Sequence, residues 1–349
     1  MDERLTIILA LKGRHKFTER WLKYANKYLS NFKILVADGS DEDERYFFNK
    51  NKFPNLDLKY IDFPPDKDVS FYVKKLLKCT KESHTKYILY ADNDDFMLEE
   101  EIIELLNFLD KNNSFVAARG EIYDFSIDSQ NEIYGKIFGV KKFIKKLTFD
   151  KDAHLERYLD FSKDRQGLFH CIIKKNIFQE TLEICDNSKF FYLTIFQLFF
   201  SYYLVASGKI FCSNNLYMLH QNHKQMLSKN RSLMSIKNSG FMEKNLFNVY
   251  FKILSQKLTS KIESYKNIEE KIIQSFCIDF LMDKINYYED INLNQSIDEI
   301  LTIGLEADIP VQISHFKLAR KGLWGKAPEL LKKLDSARTK GINISADIY

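Results

Sequence analysis

The first 125 residues repeat one pattern, a short apolar run followed by a stretch whose apolar residues recur at helical spacing. LTIILAL (5–11) precedes FTERWLKYANKYL (17–29), where Phe17, Trp21, Leu22, Ala25, Tyr28 and Leu29 share a helical face. FKILVADGS (32–40) is apolar as far as Ala37 and closes on the turn formers Asp38, Gly39 and Ser40. LKYIDFPPDKD stops at Pro64 and Pro65, and VSFYVKKLLKCTKES then sets Val73, Leu76, Leu77 and Thr80 on one face. YILYADNDDF (87–96) and SFVAARGEIYDF (114–125) read as strands around LEEEIIELLNFLD (98–110), whose opening acids suit a helix N-terminus. Such alternation predicts an α/β fold with a mainly parallel sheet flanked by helices.

Within that pattern, YILYADNDDFM packs three carboxylates, Asp92, Asp94 and Asp95, into four positions at the end of an apolar strand. Ligands of open α/β sheets bind beyond the carboxyl ends of the strands, and Asp38 lies at the same end of its own predicted strand. Right-handed crossovers bring both acidic loops to one edge of the sheet. Carboxylates this close repel one another, so the cluster calls for a positive partner. A hard divalent cation takes carboxylate oxygens and keeps positions for water and phosphate, as Mg²⁺ or Mn²⁺ does beside a nucleotide. In the loop after the first strand, KGRHK (12–16), Gly13 permits close backbone approach, and Lys12, Arg14 and Lys16 are candidate phosphate partners. Neither GxxxxGK[ST] nor GxGxxG occurs, so neither a P-loop nor a Rossmann dinucleotide site is supported.

ILVADGS resembles the (V)DDGS element, and YADNDD the DxDD element, of family 2-type glycosyltransferases with the GT-A nucleotide-sugar fold. The likeness covers roughly the first 125 residues well and extends more weakly to about residue 225, where a helix followed by SGKIF (207–211) is similar to the family's helix ending in Gly-Lys before a strand. The resemblance implies a GT-A-like (Rossmann-like) domain over residues 1–225, and helical periodicity beyond it implies a helical C-terminal region over 226–349. It further implies that Asp38 accepts a hydrogen bond from the nucleotide base, commonly uracil, and that Asp92 lies near the ribose or the metal. Asp94 would coordinate the metal bridging the phosphates, and Asp95 would brace the loop. Leu11, Arg14 and Asn93 complete the expected nucleotide-sugar contacts, and His220 is a candidate further ligand of Mn²⁺ or Mg²⁺, because neutral imidazole is a competent donor. His223, Arg119 and Lys224 are weighed against ordinary loop or surface roles.

The pattern departs from the family where inverting members carry an acidic pair that deprotonates the acceptor hydroxyl. Counting back from Gly208, that site falls near Phe196 and Gln197, and an amide cannot take up a proton near neutral pH. The base is therefore unassigned; Asp160, Asp164, Glu180 and Asp186 precede the helix and are candidates. The expected activity is metal-dependent transfer of a sugar from a nucleotide-sugar donor, UDP-sugar favoured, to a saccharide or glycan acceptor in surface glycan synthesis. The alternatives are a sugar nucleotidyltransferase and a catalytically degenerate module that binds nucleotide or glycan.

Other features bound the reading. Lys+Arg of 52 against Asp+Glu of 48 leaves a net charge of +4, too small for bulk capture of nucleic acid. The five cysteines lack a CxxC pair and fit reduced, packed thiols. The N-terminal sequence lacks the layout of a signal peptide, and the expected location is cytoplasmic, with the inner face of the membrane kept open. The uncharged stretch Phe190 to Gly208 approaches spanning length, but Thr194, Gln197, Ser201, Tyr202 and Tyr203 make it read as a buried or interface helix. KKFIKK (141–146) is basic with apolar interleaving and reads as a solvated turn, with contact to a phospholipid surface or an anionic acceptor kept open.

Overall fold

The computed structural model describes residues 1–129, 132–144, 148–163, 167–188, 193–224, 293–306, 310–313, 325 and 327–346. They fall into two compact units, one holding the described residues through Lys224 and the other those from Leu293 onward. The expected division at 225/226 lies outside the described residues.

The first unit is α/β. Its nine-stranded sheet runs β3 (Leu58–Asp62), β2 (Lys33–Asp38), β1 (Leu5–Leu11), β4 (Tyr87–Ala91), β8 (Ile172–Lys174), β6 (Phe115–Asp128), β9 (Lys209–Gln221) and β5 (Asp95–Met97), with β7 (Lys136–Ile144) paired to β6. The first four strands are mutually parallel, with Leu11 opposite Asp38 and Leu9 opposite Ala91. Beyond β4 the sheet is mixed. β8 runs antiparallel to β4 and β6, β5 runs antiparallel to β9, and only β6 and β9 are parallel there. Sheets of this kind, parallel with antiparallel additions, keep helices over both faces.

Burial explains the order. β1 is buried throughout, and its alternate residues Leu5, Ile7, Leu9 and Leu11 join one core with Trp21, Leu22 and Ala25 of α1 (His15–Tyr28) and Ile102, Leu105, Leu106 and Leu109 of α3 (Glu99–Lys111). Each leucine or isoleucine of this core, fully removed from water, stabilises the fold by about 1.5–3 kcal/mol. Thr6 points to the opposite face, where it accepts a hydrogen bond from Ser83, the residue that ends α2 (Val69–Glu82), at 2.9 Å. α2 packs on α5 (Lys175–Ser188), and α6 (Leu193–Ser207) packs on α5 and on α4 (His154–Lys163).

α6 is the uncharged segment of the sequence. It has 15 residues, about 22 Å at 1.5 Å per residue, and Phe199, Phe200, Tyr202, Tyr203 and Leu204 are buried in the protein. No described helix is long and apolar enough to cross a membrane. The basic stretch after Val140 departs from expectation: Lys141 to Ile144 belong to strand β7 rather than to a turn, while 145 and 146 lie outside the described residues.

The second unit has α7 (Leu293–Glu306), α8 (Ala327–Thr339) and a parallel pair, β10 (Val311–Ile313) with β11 (Ile344–Ala346). Ile297, Leu330, Leu334, Ala337, Ile342 and Ile344 form its core. Its described part is thus helical with a small strand pair. Residues 226–292 of the expected helical region lie outside the described residues.

Candidate functional site

Three loops meet at the carboxyl edge of β1, β2 and β4. After β1 the chain turns through Gly13 and Arg14, both left-handed at φ 67° and 63°, a conformation costly for Arg and used here to start α1. Gly13 N–H donates to Ser40 Oγ at 2.7 Å, tying this turn to the one after β2. Asp38 is fully buried; one oxygen accepts the Ser40 N–H at 2.8 Å and the other the Tyr60 hydroxyl, and each retains a lone pair. Beneath both turns lies a buried ion pair, Lys75 with Asp66 at 2.5 Å, and Lys75 also donates to the Leu11 carbonyl at 2.7 Å. Burial pushes Lys75 down and Asp66 up, each towards its neutral form, with the mutual attraction opposing this.

The turn after β4 holds the acids, and each has its own neighbours. Asp92 accepts the Tyr90 hydroxyl; burial, then Asp95 and Asp94, push it up to about 6. Asn93 is buried and donates to Thr18 Oγ1 at 3.0 Å, so it anchors the turn to α1. Asp94 Oδ2 accepts from Arg14 Nη1 at 2.9 Å and meets His223 Nε2 at 2.7 Å. Burial alone would raise Asp94, but the His223 hydrogen bond and the Arg14 charge outweigh it and hold the carboxyl well below the usual range. Asp95 opens β5, directly opposite His220 of β9, and its Oδ1 lies 2.7 Å from His220 Nδ1. Burial would lower His220, yet Asp95 dominates and the imidazole rises to about 9, so Nδ1 is protonated and donates.

A residue absent from the sequence-based site completes the cluster. His170, just before β8, has Nδ1 3.5 Å from Asp95 Oδ2, and both atoms are buried without a hydrogen-bond partner. Tyr217 of β9 fixes the loop by donating to the His170 carbonyl at 3.0 Å. Asp92, Asp95 and His170 each offer one ligand atom within 4.8 Å of the other two. The two carboxylates suit Mn²⁺ or Mg²⁺, the imidazole favours Mn²⁺ of the two, and unsatisfied buried atoms facing one another are what a cation would complete.

The structure brings Arg14, Asp92, Asn93, Asp94 and His220 together, and Leu11 and Asp38 pair across the adjoining strands. Asp94 is the partner of Arg14 and His223 and stands outside the three-residue cluster, and the Nδ1 of His220 is committed to Asp95. Arg119 is buried and donates to the Gly167 carbonyl at 3.1 Å, so it is not a surface charge. Lys224 is exposed, and its backbone N–H donates to the Glu132 carboxylate. Asp160 pairs with Lys163 of its own helix at 3.3 Å, and Glu180 accepts the Tyr203 hydroxyl at 2.6 Å. Asp186 lies on α5 beside the buried Cys185, and Asp164 is outside the described residues. Gln197 is exposed, while its neighbour Phe196 packs edge-on against Tyr72 and Phe169, which themselves touch Tyr90. His170 carries no motif; only its position before the apolar run CII marks it.

No protein-family model matches the chain. A crystal structure of S. aureus TarS 1–349 in complex with UDP superposes with a TM-score of 0.54 at 12% identity, covering 86% of this chain and 79% of that one. The structure of the same TarS fragment with UDP-GlcNAc aligns at 0.45 and 11% identity over 82% of this chain and 92% of that one. The first likeness shows that this chain shares the fold of the UDP-bound TarS 1–349 structure. A curated N-acyl-D-glutamate deacylase from Alcaligenes xylosoxydans xylosoxydans is 33% identical over 54 residues, which span 16% of this chain and 11% of that protein.

Proposed function

We propose that the first unit transfers a sugar from a nucleotide-sugar donor, a UDP-sugar in preference, to a saccharide acceptor, with Mn²⁺ or Mg²⁺ held by Asp92, Asp95 and His170. The observation that carries this reading is the facing of Asp95 Oδ2 and His170 Nδ1, buried and unpartnered, beside Asp92 at the carboxyl edge of a sheet shared with a UDP-bound protein.

When bound, the cation supplies Lewis acidity, stabilising the charge that grows on a departing diphosphate. The chain's own residues then have distinct tasks. Arg14 carries a fixed positive charge, since burial would lower its pKa but Asp94 and Asp92 together raise it, and it can neutralise phosphate at the same edge. Asp38 has lone pairs left for a base N–H, with Ser40 and Tyr60 fixing its orientation. His220 and Tyr90 hold Asp95 and Asp92 in place, which keeps the donor set organised before any ligand arrives. Synthesis of a surface glycan is the setting in which this transfer is proposed.

The test is thermal unfolding with UDP-, GDP-, CMP- and dTDP-sugars, with and without Mn²⁺, because a ligand of the native state raises Tm. The expected result is a manganese-dependent rise with a UDP-sugar that is absent in Asp95→Asn. Equal Tm with every donor, in folded protein, overturns the reading. Release of UDP on adding acceptor saccharides separates transfer from binding without turnover, and pyrophosphate released from a nucleoside triphosphate marks nucleotidyl transfer instead.

A further inference from the structure

The hairpin of β6 and β7 carries an exposed face that the proposed reaction does not use. Every residue from Tyr134 to Lys142 is exposed, and four of them are large and apolar: Tyr134 at 60%, Ile137 at 56%, Phe138 at 52% and Val140 at 58%. Single exposed apolar residues are ordinary, but four within seven positions concentrate apolar side chains on one short exposed ribbon. Lys136 stands among them and Lys141 and Lys142 follow directly, and no acid occurs from Tyr134 to Ile144. The acids opposite on β6 are mostly turned inward: Asp124 and Glu121 are buried, the latter paired with Lys142, and Asp128 is the exposed one, across from Lys136. Gly139, at φ 66°, breaks the regular ladder between the Ser126–Phe138 and Asp124–Lys141 pairs, so the ribbon bulges where its apolar residues are densest.

We infer that this hairpin docks the protein on an anionic lipid bilayer, with Ile137, Phe138 and Val140 entering the headgroup region and Lys136 and Lys141 meeting lipid phosphates. Charge chooses the occupant. Apolar side chains interleaved with lysines match a surface that is apolar a few ångströms below a negative layer. A second copy of the chain fits poorly, because antiparallel pairing of β7 with itself about Gly139 sets Lys136 opposite Lys142, and like charges directly opposite are destabilising. A polyanionic glycan satisfies the lysines but offers no apolar phase to Ile137 and Val140. The same stretch of β6 that pairs with β7 also runs beside β9, with Asp124 opposite His220, so docking sets the candidate site close to the bilayer surface.

The experiment is co-sedimentation of the full chain with phosphatidylcholine vesicles with or without about one-third phosphatidylglycerol, at low and high salt. The expected result is binding to the anionic vesicles alone, weakened by salt. Ile137→Ser/Phe138→Ser/Val140→Ser should reduce partitioning at least about tenfold. Lys136→Glu/Lys141→Glu should reduce it about fivefold or more for each charge removed. All five positions are exposed, so far-UV circular dichroism and Tm should match the wild type. As a local readout, the emission that Phe138→Trp adds over the wild type should shift to the blue with anionic vesicles and stay unshifted with phosphatidylcholine alone. Absence of binding, variants that bind as the wild type does, or an unshifted added emission from Phe138→Trp protein that has pelleted with vesicles each overturn the inference. So does lipid-independent self-association that the serine variant abolishes.

Discussion

Asp95 Oδ2 and His170 Nδ1 face each other at 3.5 Å, buried, with no hydrogen-bond partner for either atom. The carboxylate comes from the turn after β4, while the imidazole arrives on the segment before β8, which pairs antiparallel with β4. Unsatisfied polar atoms in a protein interior cost about 1–3 kcal/mol each, so their persistence points to a ligand that completes them.

That relationship predicts a metal phenotype. His170→Ala should weaken Mn²⁺ binding by at least about tenfold, read by titration calorimetry, with Tm of the metal-free protein little changed. Undiminished affinity in the variant removes His170 from the donor set.

The buried pair under the turns after β1 and β2 gives a stability cycle. Lys75→Met leaves Asp66 charged, buried and unpaired, at a cost of about 3–5 kcal/mol in urea denaturation. Adding Asp66→Asn should recover part of that loss, since it removes the uncompensated charge. If the double variant is no more stable than Lys75→Met alone, the cost comes from packing rather than charge.

Asp110 gives a pH dependence remote from the site. Burial raises its carboxyl, but hydrogen bonds from Lys86, Arg4 and Tyr87, at 2.6, 2.9 and 2.9 Å, outweigh this and bring it down to about 2. A carboxyl lowered on folding stabilises the protein above its unfolded value, about 3.9, and that contribution is lost as pH falls through the folded value. Asp110→Asn should therefore reduce stability above about pH 4 and flatten its fall from about pH 4 to pH 2, as measured by denaturant midpoints.

Packing at the end of α6 gives a steric prediction. A Cβ on Gly208 would sit 2.3 Å from Val116 Cγ1, on a β-branched side chain with little freedom to move. Gly208→Ala should cost about 1–3 kcal/mol. A Gly208→Ala/Val116→Ala double variant that regains stability would identify this contact as the cause.

Much of the first unit was legible because its signals are local. The apolar runs at Leu5 to Leu11 and Tyr87 to Ala91 are strands, His15–Tyr28 and Val69–Glu82 are helices, and the Asp92 to Asp95 turn follows β4 as the alternation required. The mixed half of the sheet was less legible. β5 has three residues and β8 three, too short for a period-two pattern, and their direction is fixed by the neighbour they meet. Lys141 and Lys142 misled because lysines on an exposed strand look, in sequence, like lysines in a turn.

The sequence by itself determined that acidic turns following β2 and β4 would share one edge, since parallel strands joined by helices must all end on the same side. Tertiary structure alone decided the roles within that edge. Asp94 and Asp95 are neighbours in the chain, yet successive side chains diverge, so Asp94 meets Arg14 and His223 while Asp95 meets His220 and His170. Spacing records that the acids are adjacent. Which cations, imidazoles or buried gaps they face depends on β8 and β9 folding back from elsewhere in the chain, because charge and hydrogen bonding act over a few ångströms of space whatever the separation in sequence.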